Sequence, residues 1–147
     1  MIAVDTNILV YAHRSEARLH AAAAAELVAL TEGIGPWGLP VFCITEFMRV
    51  VTHRRVFNPP STLSQGFDFL NDVLASPMCR LIRPGPDFLR FFTEAAHRAD
   101  ARGNLMFDAQ IAAVCREHGI ASVLTNDRDF ERFEHLRVRY PGEPRFG

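Results

Sequence analysis

Lysine is absent from the chain: all 16 basic side chains in the 147 residues are arginine. A P-loop needs a lysine on the phosphates and Schiff-base chemistry needs a lysine amine, so both classes are excluded. The same bias, with abundant alanine, is also what a GC-rich genome produces. Cysteine is sparse. Cys43, Cys79 and Cys115 are widely spaced with no C-x-x-C pair, which argues against a disulfide framework and leaves them as small buried hydrophobes. Long apolar runs are missing too, since none reaches the roughly 18 residues that span a bilayer. The amino terminus has no basic segment and no small-residue cleavage site, so a cytoplasmic protein without membrane attachment is expected. A dominant charge sign is the last absence. The 16 arginines face 17 acids for a net charge of −1, so any binding of a polyanion must use local patches. The six histidines form no H-E-x-x-H or similar spacing, which removes zinc.

What is present fits one domain over residues 1–147, with no repeat or linker. Ile2 to Val4 is a short β-competent run that ends at Asp5-Thr6-Asn7, and an apolar helix follows from Ile8. The alanine-rich stretch Ser15 to Thr31 predicts a helix that stops at Gly33 and Gly35. Leu39 to Ile44 reads as a second strand, with Thr45 capping a helix that carries Glu46 towards Arg55. Thr62 to Leu74 carries Phe67, Leu70, Val73 and Leu74 as a helical stripe, and Arg80 to Arg83 is a brief strand. Pro86 opens a helix with Phe88, Phe91, Phe92, Ala95 and Ala96 on one face. Phe107 to His118 is a further helix closed by Gly119. Ala121 to Leu124 is a strand, Arg128 to Phe133 a short helix, and Leu136 to Tyr140 a final strand. Strands that alternate with helices, without hairpin turns, predict an α/β sandwich around a mostly parallel central sheet.

Such sheets bind ligands beyond the carboxyl ends of their strands. Asp5 follows the first strand, Glu46 lies beyond the second, and Asp127 and Asp129 follow the Ala121 to Leu124 strand. Asp108 shares a helical face with Ile111 and Cys115 and points inward. Carboxylates gathered at one edge raise one another's pKa values unless something positive sits among them. Hard oxygen donors without a His/Cys set suit Mg²⁺ or Mn²⁺, and such an ion favours hydrolysis of a phosphate ester. Each acid also has a plainer reading. Asp5 could cap its helix, although Thr6 and Asn7 could do so equally well and leave Asp5 surplus. Glu46 could answer the helix dipole, Asp108 could pair with Arg98 or Arg102, Asp127 could be an N-cap and Asp129 a solvated residue.

Four segments in order, V-D-T-N-I-L-V-Y at Val4 to Tyr11, T-E at Thr45-Glu46, F-D-A-Q-I-A-A at Phe107 to Ala113 and T-N-D-R-D-F at Thr125 to Phe130, resemble PIN-domain ribonucleases. Among these the chain is most similar to the VapC toxins of bacterial toxin–antitoxin pairs. The resemblance implies a PIN-like α/β/α sandwich and a metal-dependent endoribonuclease. It implies Asp5, Glu46, Asp108 and Asp127 as metal ligands, Asp129 as an outer or alternate acid, and Asn7 and Thr125 as orienting groups. It also implies an RNA substrate, a homodimer, and a VapB-type antitoxin that occludes the site with an arginine-bearing tail.

Arg49, His53, Arg54 and Arg55 form the densest basic cluster, and i, i+4 spacing puts Arg49 beside His53 on the helix that carries Glu46. With Arg14, Arg98 and Arg102 they are candidates to hold RNA phosphates, or else solvated cations at helix ends. Two other readings compete. A phosphotransfer fold with an aspartate after its first strand expects D-x-D or a lysine; this chain has Asn7 at that position and no lysine. A catalytically inert PIN-like module would bind RNA or a protein partner without cleaving, and the presence of all four acids weighs against it.

Overall fold

The computed structural model describes residues 1–144. Its order is β1 (Ile2–Val4), α1 (Thr6–His13), α2 (His20–Thr31), β2 (Trp37–Pro40), α3 (Val41–Val51), α4 (Leu63–Leu74), β3 (Cys79–Ile82), α5 (Phe88–Arg98), α6 (Leu105–Glu117) and β4 (Ser122–Leu124). A 3₁₀ turn at Arg128–Arg132 then leads to β5 (Arg137–Arg139). The five strands form one sheet in the order β3-β2-β1-β4-β5, and every pairing is parallel.

This order decides where a ligand can sit. From β1 the chain steps outward through β2 to β3, then returns to the other side of β1 for β4 and β5. Right-handed crossovers that run in opposite directions put their helices on opposite faces, so α1 to α4 cover one face and α5 and α6 the other. In keeping with this, α1 packs on α2 and α3, while α5 packs on α6. The direction of winding reverses between β1 and β4, and a crevice opens beyond the carboxyl ends of those two strands. Asp5 and Thr125 are the first residues past those ends.

The middle of the sheet is wholly apolar. Trp37, Leu39, Val4 and Val123 are fully buried, as are Phe47 of α3, Ile111 of α6 and Phe130 of the 3₁₀ turn. The edge strand β5 has arginines at both ends, Arg137 and Arg139, and Arg80 lies on β3, charges that discourage edge-to-edge pairing. Among the described residues no helix is long and apolar enough to cross a membrane.

Several boundaries differ from the sequence reading. β2 ends at Pro40, and α3 begins at Val41, so Thr45 caps nothing and Glu46 lies in the second turn of a helix. The β-branched and aromatic run V-F-C-I looks like strand. Yet Cys43, Phe47, Met48 and Val51 are buried at helical spacing, and that packing overrides local preference. α2 starts at His20, because Arg14 to Leu19 turn to connect it with α1. Phe67 leaves its expected stripe and is exposed, while Gly66, Leu70 and Val73 face inward. Thr62 and Gln65 form a reciprocal capping box at the start of α4. Cys43 and Cys115 are buried as expected, but Cys79 is only half-buried.

Candidate active site

The fully buried Thr125 hydroxyl ties the two central strands together. It accepts from Asn7 Nδ2 at 3.0 Å and from the Asp127 backbone N–H at 3.0 Å. A hydroxyl has one proton, so that proton goes to the remaining neighbour, Asp5 Oδ2 at 2.7 Å. Asn7 Nδ2 also donates to Asp5 Oδ2 at 3.0 Å, and its Oδ1 accepts from Asn126 N–H at 3.2 Å. Asp5 itself is the N-cap of α1, taking Thr6 N–H on Oδ1 at 2.7 Å. The expectation that Asp5 is surplus to capping is thus corrected: one carboxylate oxygen caps the helix and the other receives Asn7 and Thr125.

Glu46 reaches the same crevice from α3, and the buried Thr6 hydroxyl orients it by donating to Oε2 at 2.9 Å. Asp5, Glu46, Asp108 and Asp127 all line one cleft, beside Thr6, Asn7 and Tyr11. The cleft opens onto a wider space of about 640 Å³ bordered by Asp108, Asp127, Asp129 and Arg49. One carboxylate oxygen from each of Asp108, Asp127 and Asp129 lies within 4.8 Å of the others. Asp127 has a second duty as N-cap of the 3₁₀ turn, where its Oδ1 accepts from Asp129 N–H at 2.9 Å.

Burial and mutual repulsion act strongly on two of these acids. Asp5 is pushed up to about 6, mainly by burial; the bonds from Thr125 and Thr6 pull the other way, and the charges of Glu46 and Asp127 add to the rise. Asp108, half-buried in the first turn of α6, is pushed up to about 7 by burial and then by the charges of Asp127, Asp5, Asp129 and Glu46. Among the described residues, nothing hydrogen-bonds to the Asp108 carboxylate, and no ion pair joins it to Arg98 or Arg102. Among the described residues two exposed arginines pair loosely with the cluster, Arg49 at 3.8 Å from Glu46 Oε1 and Arg132 at 4.0 Å from Asp129 Oδ1. A set of five hard oxygen donors with so little opposing charge fits a small divalent cation.

The other arginines named from the sequence stand further from this cleft. Arg14 is engaged with Glu16, the Ser61 hydroxyl and the Pro59 carbonyl, and its guanidinium lies 4.4 Å from the centre of the Phe57 ring. Arg102 pairs with Asp100 at 3.2 Å in solvent. Arg54 is exposed in the turn after α3. Sequence reasoning treated Thr6 only as a possible cap and so missed its bond to Glu46; position 6 and position 46 meet only once α1 packs on α3. It also gave no role to Phe107, whose ring is exposed next to Glu46.

The likeness to known proteins agrees with this arrangement. The PIN domain family matches residues 2–136. The chain is 40% identical over 141 residues to Ribonuclease VapC43 of Mycobacterium tuberculosis, covering 96% of this chain and 95% of that protein. Its fold resembles VapBC2 from Rickettsia felis, solved bound to a DNA fragment from their promoter, with a TM-score of 0.69 at 19% identity over 96% of this chain and 99% of that one. It also resembles Mycobacterium tuberculosis VapC20, described as a sarcin-ricin loop cleaving toxin, with a TM-score of 0.66 at 19% identity over 89% of this chain and 93% of that one. The chain belongs to the PIN-domain family and, within it, to the VapC ribonucleases.

Proposed function

We propose that the carboxylate cleft holds Mg²⁺ or Mn²⁺ and that the protein is a VapC-type toxin, an endoribonuclease that hydrolyses RNA phosphodiesters. The observation that carries the metal reading is the excess of negative charge: Asp5, Glu46, Asp108, Asp127 and Asp129 converge on one crevice, and among the described residues only two exposed arginines, Arg49 and Arg132, pair with them, at 3.8 and 4.0 Å. A bound divalent ion supplies Lewis-acid stabilisation of the phosphoryl oxygens and lowers the pKa of water at the site.

The side chains divide the remaining work. Asp108, Asp127 and Asp129 form the group of oxygens close enough to share one ion. Asp5 and Glu46 line the same cleft, each held in orientation by a threonine hydroxyl, Thr125 and Thr6 respectively. Asn7 holds the Asp5 and Thr125 ends together and keeps the two central strand ends in register. Arg49, at the rim, presents its guanidinium to an incoming phosphate and offsets part of the repulsion between RNA and the acids. The same reading takes the protein as a cytoplasmic homodimer restrained by a VapB-type antitoxin, a partner supported by the likeness of its fold to VapBC2 of Rickettsia felis.

The test is cleavage of total bacterial RNA by partner-free protein with Mg²⁺ or Mn²⁺, against EDTA and an Asp5→Asn variant. Discrete fragments that both controls abolish are expected. Intact RNA from folded protein whose melting temperature rises with Mn²⁺ would sink the nuclease and leave a metal-binding module.

A further inference from the structure

We propose that the pocket beside the carboxylates, lined by Phe42, Thr45, Glu46, Arg49, Phe107 and Gln110, is a nucleobase subsite in which the Phe107 ring stacks on a base next to the scissile phosphate. The proposal rests on the nuclease reading and deepens it: the substrate is RNA presented single-stranded, with one base unstacked.

Phe107 is 56% exposed, a costly position for a phenylalanine that packing does not require. It immediately precedes Asp108 in the first turn of α6, so the ring stands at the edge of the acid cluster. Glu46 and Arg49 border both the pocket and the carboxylate cleft, which makes the two spaces neighbours. A ligand that spans them places one part on the acids and the next part against Phe107.

The chemistry of the lining selects among occupants. Gln110 lies three residues after Phe107 on the same helical face, and among the described residues its side-chain amide has no hydrogen-bond partner. An amide with one acceptor and two donors matches the edge of a base. The Thr45 hydroxyl donates to the Phe42 carbonyl at 3.2 Å and keeps lone pairs available. Arg49 supplies the charge for the adjoining phosphate. An aromatic face, an amide edge and a guanidinium together describe a nucleotide; an apolar peptide side chain would use only the first. A neutral base also sits beside carboxylates without repulsion, whereas a second phosphate would not.

The test uses a synthetic oligoribonucleotide that spans a cleavage position mapped in total RNA, with each residue in turn replaced by an abasic ribose. kcat/KM is measured in Mg²⁺ for the wild-type chain, Phe107→Ala and Phe107→Tyr. At one position next to the cut, removal of the base should lower the wild-type kcat/KM about 10-fold, as loss of one base–aromatic stack does. Phe107→Ala should lower it by a similar factor on the intact RNA and show no further loss at that abasic position, while Phe107→Tyr behaves as wild type. Equal losses on every RNA would mean a structural role and overturn the subsite. No loss on any RNA would also overturn it and give this face to a protein partner. If the wild-type chain cleaves without dependence on any base, the subsite alone fails; if it cleaves no RNA, the nuclease reading fails with it.

Discussion

Asp5 and Asp108 face the same crevice, yet the protein treats them differently. Asp5, at the end of a central strand, receives three hydrogen bonds, from Thr6, Asn7 and Thr125. Asp108, on the first turn of α6, receives none among the described residues. Burial raises both pKa values, to about 6 and about 7. The bonds to Asp5 hold its rise below what its deeper burial would cause, whereas Asp108 has only the repulsion of four other acids. The strand side of the cleft is therefore organised by the fold itself, and the helix side is left for a cation to organise. Where a site stores more negative charge than its cations offset, stability and activity make opposite demands on the same residue.

Breaking the helix side should have the largest effect. Asp108→Asn is expected to abolish RNA cleavage and to remove the rise in melting temperature on adding Mn²⁺, because the group of oxygens close enough to share one ion would lose a charge. The same variant should melt higher than wild type at pH 7 in EDTA, since a repelled half-buried carboxylate has gone. Asp5→Asn is the contrasting arm: its amide would point a donor at groups that already donate, so it should melt no higher than wild type.

Thr125→Val attacks the strand side without touching an acid. It removes a buried hydroxyl that serves Asp5, Asn7 and Asp127. A loss of about 1–3 kcal/mol in stability by urea titration is expected, with metal affinity down by about 10–100-fold, the usual cost of removing a group that orients a ligand.

A smaller effect is the pH dependence of the metal-free protein. Asp5 and Asp108 hold their protons more tightly when folded than an aspartate with its ordinary pKa of 3.8 does in an unfolded chain. Their contribution to stability is then fully present below about pH 4 and lost as pH rises through 6 and 7, with the sign set by the extra protons of the folded state. In EDTA the melting temperature should fall as pH rises from 5 to 8, and excess Mn²⁺ should flatten that slope. Asp108→Asn should flatten its upper part. The smallest change is expected for Arg49→Gln, which breaks an exposed 3.8 Å pair with Glu46; stability should move by less than about 1 kcal/mol, while KM for RNA rises.

The strand side of the site was readable in the sequence because its parts are local. D-T-N after β1 and T-N-D after β4 each place their residues within a few positions of a strand end, and a parallel sheet brings strand ends together. The helix side was harder to read. Glu46 was found at the right edge for a partly wrong reason, since the β-branched residues before it belong to α3 and not to β2. Asp129 looked secondary beside Asp127, yet the 3₁₀ turn brings its carboxylate to Asp108. The double use of Asp5 as cap and site acid depends on which oxygen meets which donor, and composition carries no trace of that. The parallel sheet followed from strands separated by helices; its strand order and the start of α3 did not, the latter because burial of Cys43 and Phe47 decides it.

The bond between Asp5 and Thr125 spans 120 positions of the chain. On a ribosome, Asp5 is therefore made well over a hundred residues before the partner that orients it. Until residues 122–127 emerge, β1 has β2 beside it but nothing on its other edge, and Asp5 lacks the hydroxyl that directs it. The crevice of a growing chain is therefore unfinished until β4 docks beside β1, and closure of the sheet and assembly of the site are one event.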